Sequence, residues 1–191
     1  MKQKIKVREH TEINLTPKEF VKFMAPKVGI EYPFENVKGC RKRGYLTFEE
    51  FLILGYSKTP RQWGKYNSKK NEQKVEDITR EAFKQKDLDS IIKKLTELDG
   101  IGVRVASYLL TAWNPRDYGT YDFRMQKILP KCGGFKKPKN NSDLEWYKAE
   151  LYLLRKWRND LGIETCRQVE YALWRFQQMT SEREKEKVVK L

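Results

Sequence analysis

With 39% hydrophobic and 35% charged residues, this 191-residue chain is too apolar to stay unfolded, and it is long enough for one buried core or two small lobes sharing an interface. The 40 Lys and Arg against 26 Asp and Glu leave a net charge of +14, a field that attracts polyanions and makes nucleic acid the default partner over plain surface solvation. One histidine, His10, and three cysteines without a short paired spacing (Cys40, Cys132 and Cys166) give neither a zinc site nor a disulfide framework, and no run approaches the roughly 18 apolar residues of a membrane span.

The expectation is therefore a single folding unit over residues 1–191 in a reducing compartment, cytosolic or, in a eukaryote, nuclear, with no metal and no membrane partner. Ile5 and Val7, then Ile13 and Leu15, alternate as a short strand pair would. Every later signal is helical, so the predicted fold class is all-α with a short N-terminal strand pair as its one exception.

Four helix starts carry a Ser or Thr followed three residues later by Glu or Gln, a pattern that satisfies two orphan backbone donors at once. Thr16 with Glu19, and Pro17 at the first helical position, opens a helix burying Phe20, Val21 and Met24. Thr47 with Glu50 opens a short helix predicted to end near Gly55, after a basic loop at Lys38 to Arg43 for which phosphate contact and solvation weigh equally. Val75, Ile78, Ala82 and Phe83 mark an amphipathic helix.

Residues 88–113 then read as two helices meeting at Gly100-Ile101-Gly102. Leu88, Ile91, Ile92, Leu95 and Leu98 form one apolar stripe, and Val105, Tyr108, Leu109 and Ala112 form the other. So tight a turn calls for glycine, and Ile101 between the two glycines plugs the seam. Free amides at the start of the second helix, with the macrodipole behind them, can hold a phosphate oxygen, and Arg104 adds a charge-assisted contact. The plainer reading is a helical hairpin with a glycine turn.

Beyond Pro115, Asp122 heads a predicted helix over 122–129. A basic loop covers 131–141, Ser142 with Glu145 opens a long helix through Trp146, Ala149, Leu153, Trp157 and Leu161, and Thr165 with Gln168 opens the last, which carries Trp174 and a charged end after Thr180. Trp146, Trp157 and Trp174 lie on helical stripes and are assigned to the core.

The combination Leu95-x-x-Leu98-x-Gly100-Ile101-Gly102-x-x-x-Ala106-Ser107, then Pro115, then Tyr121-Asp122-Phe123-Arg124, resembles the helix-hairpin-helix superfamily of DNA glycosylases over about 40 residues. The resemblance implies that fold, double-stranded DNA with a damaged or mismatched base as partner, and a monomer. It also implies that Gly100, Ile101, Gly102 and Arg104 hold the DNA phosphate and that Asp122 is the catalytic carboxylate. An ionised carboxylate stabilises the positive charge that builds on the sugar as an N-glycosidic bond breaks. The same aspartate also fits a simple N-cap, and the two roles are compatible.

The chain departs from the family pattern at two points. Members that also cut the strand use a Schiff-base lysine where this chain has Arg104, and a guanidinium stays protonated and cannot do that chemistry. The resemblance therefore implies a monofunctional glycosylase without an efficient lyase step, unless Lys127 or another lysine substitutes. The four-cysteine cluster of some members is also missing, so no iron–sulfur cofactor is expected.

For the base pocket or a DNA-facing surface the sequence offers Tyr56, Trp63 and Tyr66 in the mixed aromatic and basic stretch 55–66. It also offers Tyr121 beside the acid, with Trp113 and Tyr118 nearby. Ordinary core packing is the competing role for Tyr56 and Trp63. A non-catalytic hairpin module acting as a damage sensor is the alternative function, and a basic RNA-binding scaffold, which rests on charge alone, explains least.

Overall fold

The computed structural model describes residues 15–29 and 33–189, and among these the chain forms ten α-helices and no strand. The fold is all-α. The expected pairing of Ile5, Val7 and Ile13 lies outside the described residues, and Leu15 belongs to no regular element.

The capping signals explain where the helices begin. Thr16 and Glu19 bond reciprocally at the head of α1 (Pro17–Met24), as Thr47 and Glu50 do for α3 (Phe48–Lys58). Thr165 and Gln168 exchange bonds in the same way at the start of α10 (Cys166–Val189). Ser142 caps α9 (Asp143–Leu161) by accepting from Glu145 N, while the Glu145 side chain turns to Lys148 instead.

The structure corrects two sequence expectations. The basic stretch at Lys38 to Arg43 is no loop: it forms α2 (Gly39–Arg43), where Arg41 Nε donates to the Ala112 carbonyl at 3.1 Å and Arg43 pairs with Glu50. In addition, α3 does not end near Gly55 but continues to Lys58. Gly55 is there for clearance, since a Cβ on it would sit 2.8 Å from the Tyr66 ring. What stops α3 is Pro60, which holds Thr59 out of helical geometry at φ −149°.

The first lobe packs α2, α3, α5 (Lys69–Lys84), α6 (Leu88–Leu95) and α7 (Val103–Trp113) on one another, with the one-turn α4 (Trp63–Tyr66) against α3. The second is built on α10, which packs against α1, α9 and α8 (Phe123–Ile128). The chain's first described helix thus closes on its last. Contact between α7 and α9 joins the lobes, and one continuous apolar core runs through both, including Trp157, Leu109, Leu110 and Phe51.

One polar residue ties the hairpin loop to this scaffold. Asn71, wholly buried on α5, donates from Nδ2 to the carbonyls of Lys65, Tyr66 and Asp99, each at 3.1 Å, and accepts from Asp99 N at 2.8 Å. Replacing it leaves a donor and acceptors in a place water reaches poorly, which costs more than a surface hydrogen bond. Asn71→Ala is expected to lower stability by about 2–3 kcal/mol, read as a fall in the urea midpoint with little change in slope.

Candidate active site

The hairpin forms as the glycines require. Gly100 adopts φ +83°, and a Cβ there would meet the Tyr66 ring at 2.9 Å, so both its backbone angle and its surroundings demand glycine. Ile101 is buried in the seam. Gly102 is the N-cap of α7 and offers no side-chain acceptor, so the first amides of the helix lack a side-chain cap, and Gly102 and Arg104 are exposed there. Arg104 sits beside that turn, 45% exposed, with Nε and Nη2 each 3.2 Å from the Asp143 carboxylate and its guanidinium 5.9 Å from the centre of the Tyr121 ring.

From α7 the chain reaches Asp122 through a tightly held connection. Cys166 N and Arg167 N donate to the carbonyls of Arg116 and Pro115, and Arg158 clasps both Arg116 O and the Asp117 carboxylate. A Cβ on Gly119 would lie 2.5 Å from Leu154 and 3.0 Å from Glu170, so the backbone is pressed onto α9 and α10. Tyr121 N donates to Ser107 Oγ at 3.0 Å, tying the segment back to the hairpin's second helix.

Asp122 then caps α8. Its Oδ1 accepts from Arg124 N at 2.8 Å and Met125 N at 3.2 Å. The other oxygen, Oδ2, faces Lys58 Nζ at 4.0 Å, and both side chains keep partial access to solvent, 21% and 16%. A carboxylate at a helix start has one oxygen committed to the backbone and one available to a reacting partner.

Lys58 and two glutamates complete a charged group at the junction of the lobes. Lys58 ends α3, and its ammonium lies 5.4 Å from the Tyr108 ring centre on α7. Burial pushes its pKa below the usual lysine value, while the charges of Asp122, Glu170 and Glu150 oppose that and Arg167 reinforces it. Glu150 on α9 is fully buried, and neither carboxyl oxygen has a hydrogen-bond partner among the described residues. Burial, then Glu170 and Asp122, raise its pKa well above the ordinary carboxylate value and favour the protonated form. Glu170 on α10 is raised too, by burial first, with its Arg167 partner opposing.

Of the aromatic residues the sequence put forward, Tyr56 and Trp63 are exposed, 53% and 42%, and meet edge to face at 5.7 Å. Tyr66 and Tyr121 correct the expectation, because both are wholly buried. Tyr66 fills the gap between Gly55 and Gly100, and Tyr121 packs on Tyr147 while its hydroxyl donates to Asp143. They frame the site and do not line it. Lys127 is exposed on α8 beside Phe123.

The sequence reading missed Glu150, Glu170 and the role of Lys58. A signal was present: Glu150 falls on the buried stripe of Trp146, Leu153, Leu154 and Trp157, and Glu170 on that of Cys166, Val169, Leu173 and Phe176. Charges on an apolar face are rarer than apolar neighbours and mark a site. Phe34 was also missed. Its ring meets Tyr108 at a tilt with centres 4.7 Å apart and lies under the Arg167 guanidinium at 5.1 Å, and with Trp113, Arg41, Arg116 and Gln168 it walls a cleft of about 470 Å³.

Comparison with protein-family models, with curated proteins and with solved structures finds no match to this chain. The chemistry of the site therefore rests on its own geometry. Among the described residues no group of His, Cys, Asp and Glu is arranged to hold a metal ion, and the three cysteines are separate and buried.

Glu150 makes a testable contribution to stability. Its pKa is higher folded than unfolded, so the folded state holds the extra proton, and stability is lost as pH rises from about 4.3 toward the folded value. Glu150→Gln cannot ionise. Relative to wild type, its thermal midpoint is expected to gain steadily as pH increases above about 4.3, with the difference constant below that pH.

Proposed function

We propose that this protein is a DNA N-glycosylase that removes a damaged or mismatched base from duplex DNA by hydrolysis. The observation that carries the reading is Asp122: a single carboxylate that caps a helix with one oxygen and presents the other in a partly open junction, fixed to the hairpin helix through Tyr121 N and Ser107. An oxocarbenium-like sugar needs a negative charge held close, preorganised and only partly hydrated. The free oxygen can also orient a water for attack on the anomeric carbon.

The rest of the chain fits such a substrate. Amides without a side-chain cap at the start of α7 and the net charge of +14 favour a phosphate backbone. The cleft walled by Phe34, Trp113, Arg41, Arg116 and Arg167 combines aromatic faces with donors, a composition that suits an extrahelical base; Asp122 is not part of its wall, and Arg167, which is, pairs with Glu170 of the junction. Arg104, always charged and already held by Asp143, contributes a phosphate contact and no nucleophile.

Duplexes carrying uracil, thymine opposite guanine, alkylated purines or 8-oxoguanine are incubated with the protein and treated with alkali to reveal abasic sites. At least one substrate is expected to be cut. Asp122→Asn, which preserves the cap, is expected to reduce cutting by about 100-fold or more while DNA affinity holds. Full activity in that variant removes Asp122 from the mechanism. No cutting of any lesion, with affinity that still falls steeply with salt, leaves the non-catalytic hairpin module. Arg104→Ala should weaken binding alike on every sequence and flatten the log–log salt slope by about 1.

A further inference from the structure

We propose that Lys58 is an amine nucleophile toward the abasic deoxyribose, giving the protein a strand-cutting lyase step whose amine comes from α3 and not from the hairpin. The inference rests on the glycosylase reading for its natural substrate, but it can be tested apart from it.

The geometry supplies what such an amine needs. Lys58 ends the helix that Pro60 terminates, at the junction of the lobes, with Nζ 4.0 Å from Asp122 Oδ2 and no hydrogen bond among the described residues. At that separation the charged pair attracts without a hydrogen bond that would hold the proton on the nitrogen. The groups facing it come from every neighbouring element: Asp122 at the head of α8, Tyr108 on α7, Glu150 on α9, and Glu170 with Arg167 on α10. Burial favours the neutral amine, which is the form that attacks a carbonyl. The side chain nonetheless keeps 16% of its surface open to solvent. Neither rival has these properties: Arg104 is a permanent cation held by Asp143, and Lys127 is exposed on the surface of α8.

The chemistry balances without oxidant or reductant. The Lys58 nitrogen adds to C1′ of the ring-opened aldehyde, water leaves, and a proton from solvent makes the iminium. Asp122 Oδ2 takes a proton from C2′, and the freed electron pair forms the C2′–C3′ double bond as the bond from C3′ to the 3′-phosphate oxygen breaks. Water then hydrolyses the imine and returns the amine.

The test uses the full chain and a duplex with an abasic site prepared in advance, with sodium borohydride to reduce any imine to a stable crosslink. Wild type is expected to give a covalent complex and, without borohydride, a cut strand. The trapping rate should already be substantial near neutral pH and follow an ionisation below that of an ordinary lysine. Lys58→Arg and Lys58→Gln should lose both signals to background while still binding a duplex with a tetrahydrofuran abasic analogue, and Lys127→Arg should keep them. Should the Lys58 variants unfold, peptide mapping of the wild-type adduct decides by itself, with residue 58 the expected attachment point.

Attachment to any other lysine, persistence of the crosslink in Lys58→Arg, or no crosslink in wild type each overturns the inference. Base loss on the lesion panel without trapping removes Lys58 and leaves the glycosylase reading intact. Trapping without base loss on any lesion upholds the Lys58 amine and removes the glycosylase reading.

Discussion

The position of Asp122 depends on one steric constraint, the compression of residues 114–121 between the hairpin helix and the last two helices. Gly119 allows its backbone to lie where any side chain would strike Leu154 and Glu170. The flanking hydrogen bonds from the start of α10, from Arg158 and to Ser107 remove the remaining freedom. A side chain on a backbone so constrained has its direction set in advance. Here that setting comes from packing around a connection that contains no regular structure of its own.

Around that point the protein accepts an unfavourable burial of charge. Two glutamates, an aspartate and a lysine share the junction of the lobes, and Glu150 has no polar partner among the described residues. Apolar replacements at such positions usually favour folding, so ionisable groups concentrated in one place and perturbed in opposite senses are a mark of function. Burial moves Glu150 and Glu170 toward neutrality and Lys58 toward the free amine, which narrows the gap between donor and acceptor of a proton.

How much of this was legible in the sequence depended on whether the signal was local. The reciprocal caps at Thr16, Thr47 and Thr165, the glycine turn at Gly100 to Gly102 and the cap at Asp122 involve neighbours within a few residues, so periodicity and spacing were enough to find them. Tyr66 and Tyr121 could not be assigned this way, since their burial depends on Gly55, Gly100 and Tyr147, which the fold brings in from elsewhere. Lys58, Asp122, Glu150 and Glu170 come from four different helices. No spacing rule joins them, although the two glutamates on apolar stripes were visible as misfits.

The Tyr66 ring has a mechanical consequence. It is wedged against Gly55 of α3 on one side and Gly100 of the turn on the other, leaving no slack between them. The helix that ends in Lys58 and the turn at Gly100 are thereby braced against one another through a single ring. A displacement of the turn is passed through that ring to the helix, so the position of Gly100 and the position of Lys58 are coupled.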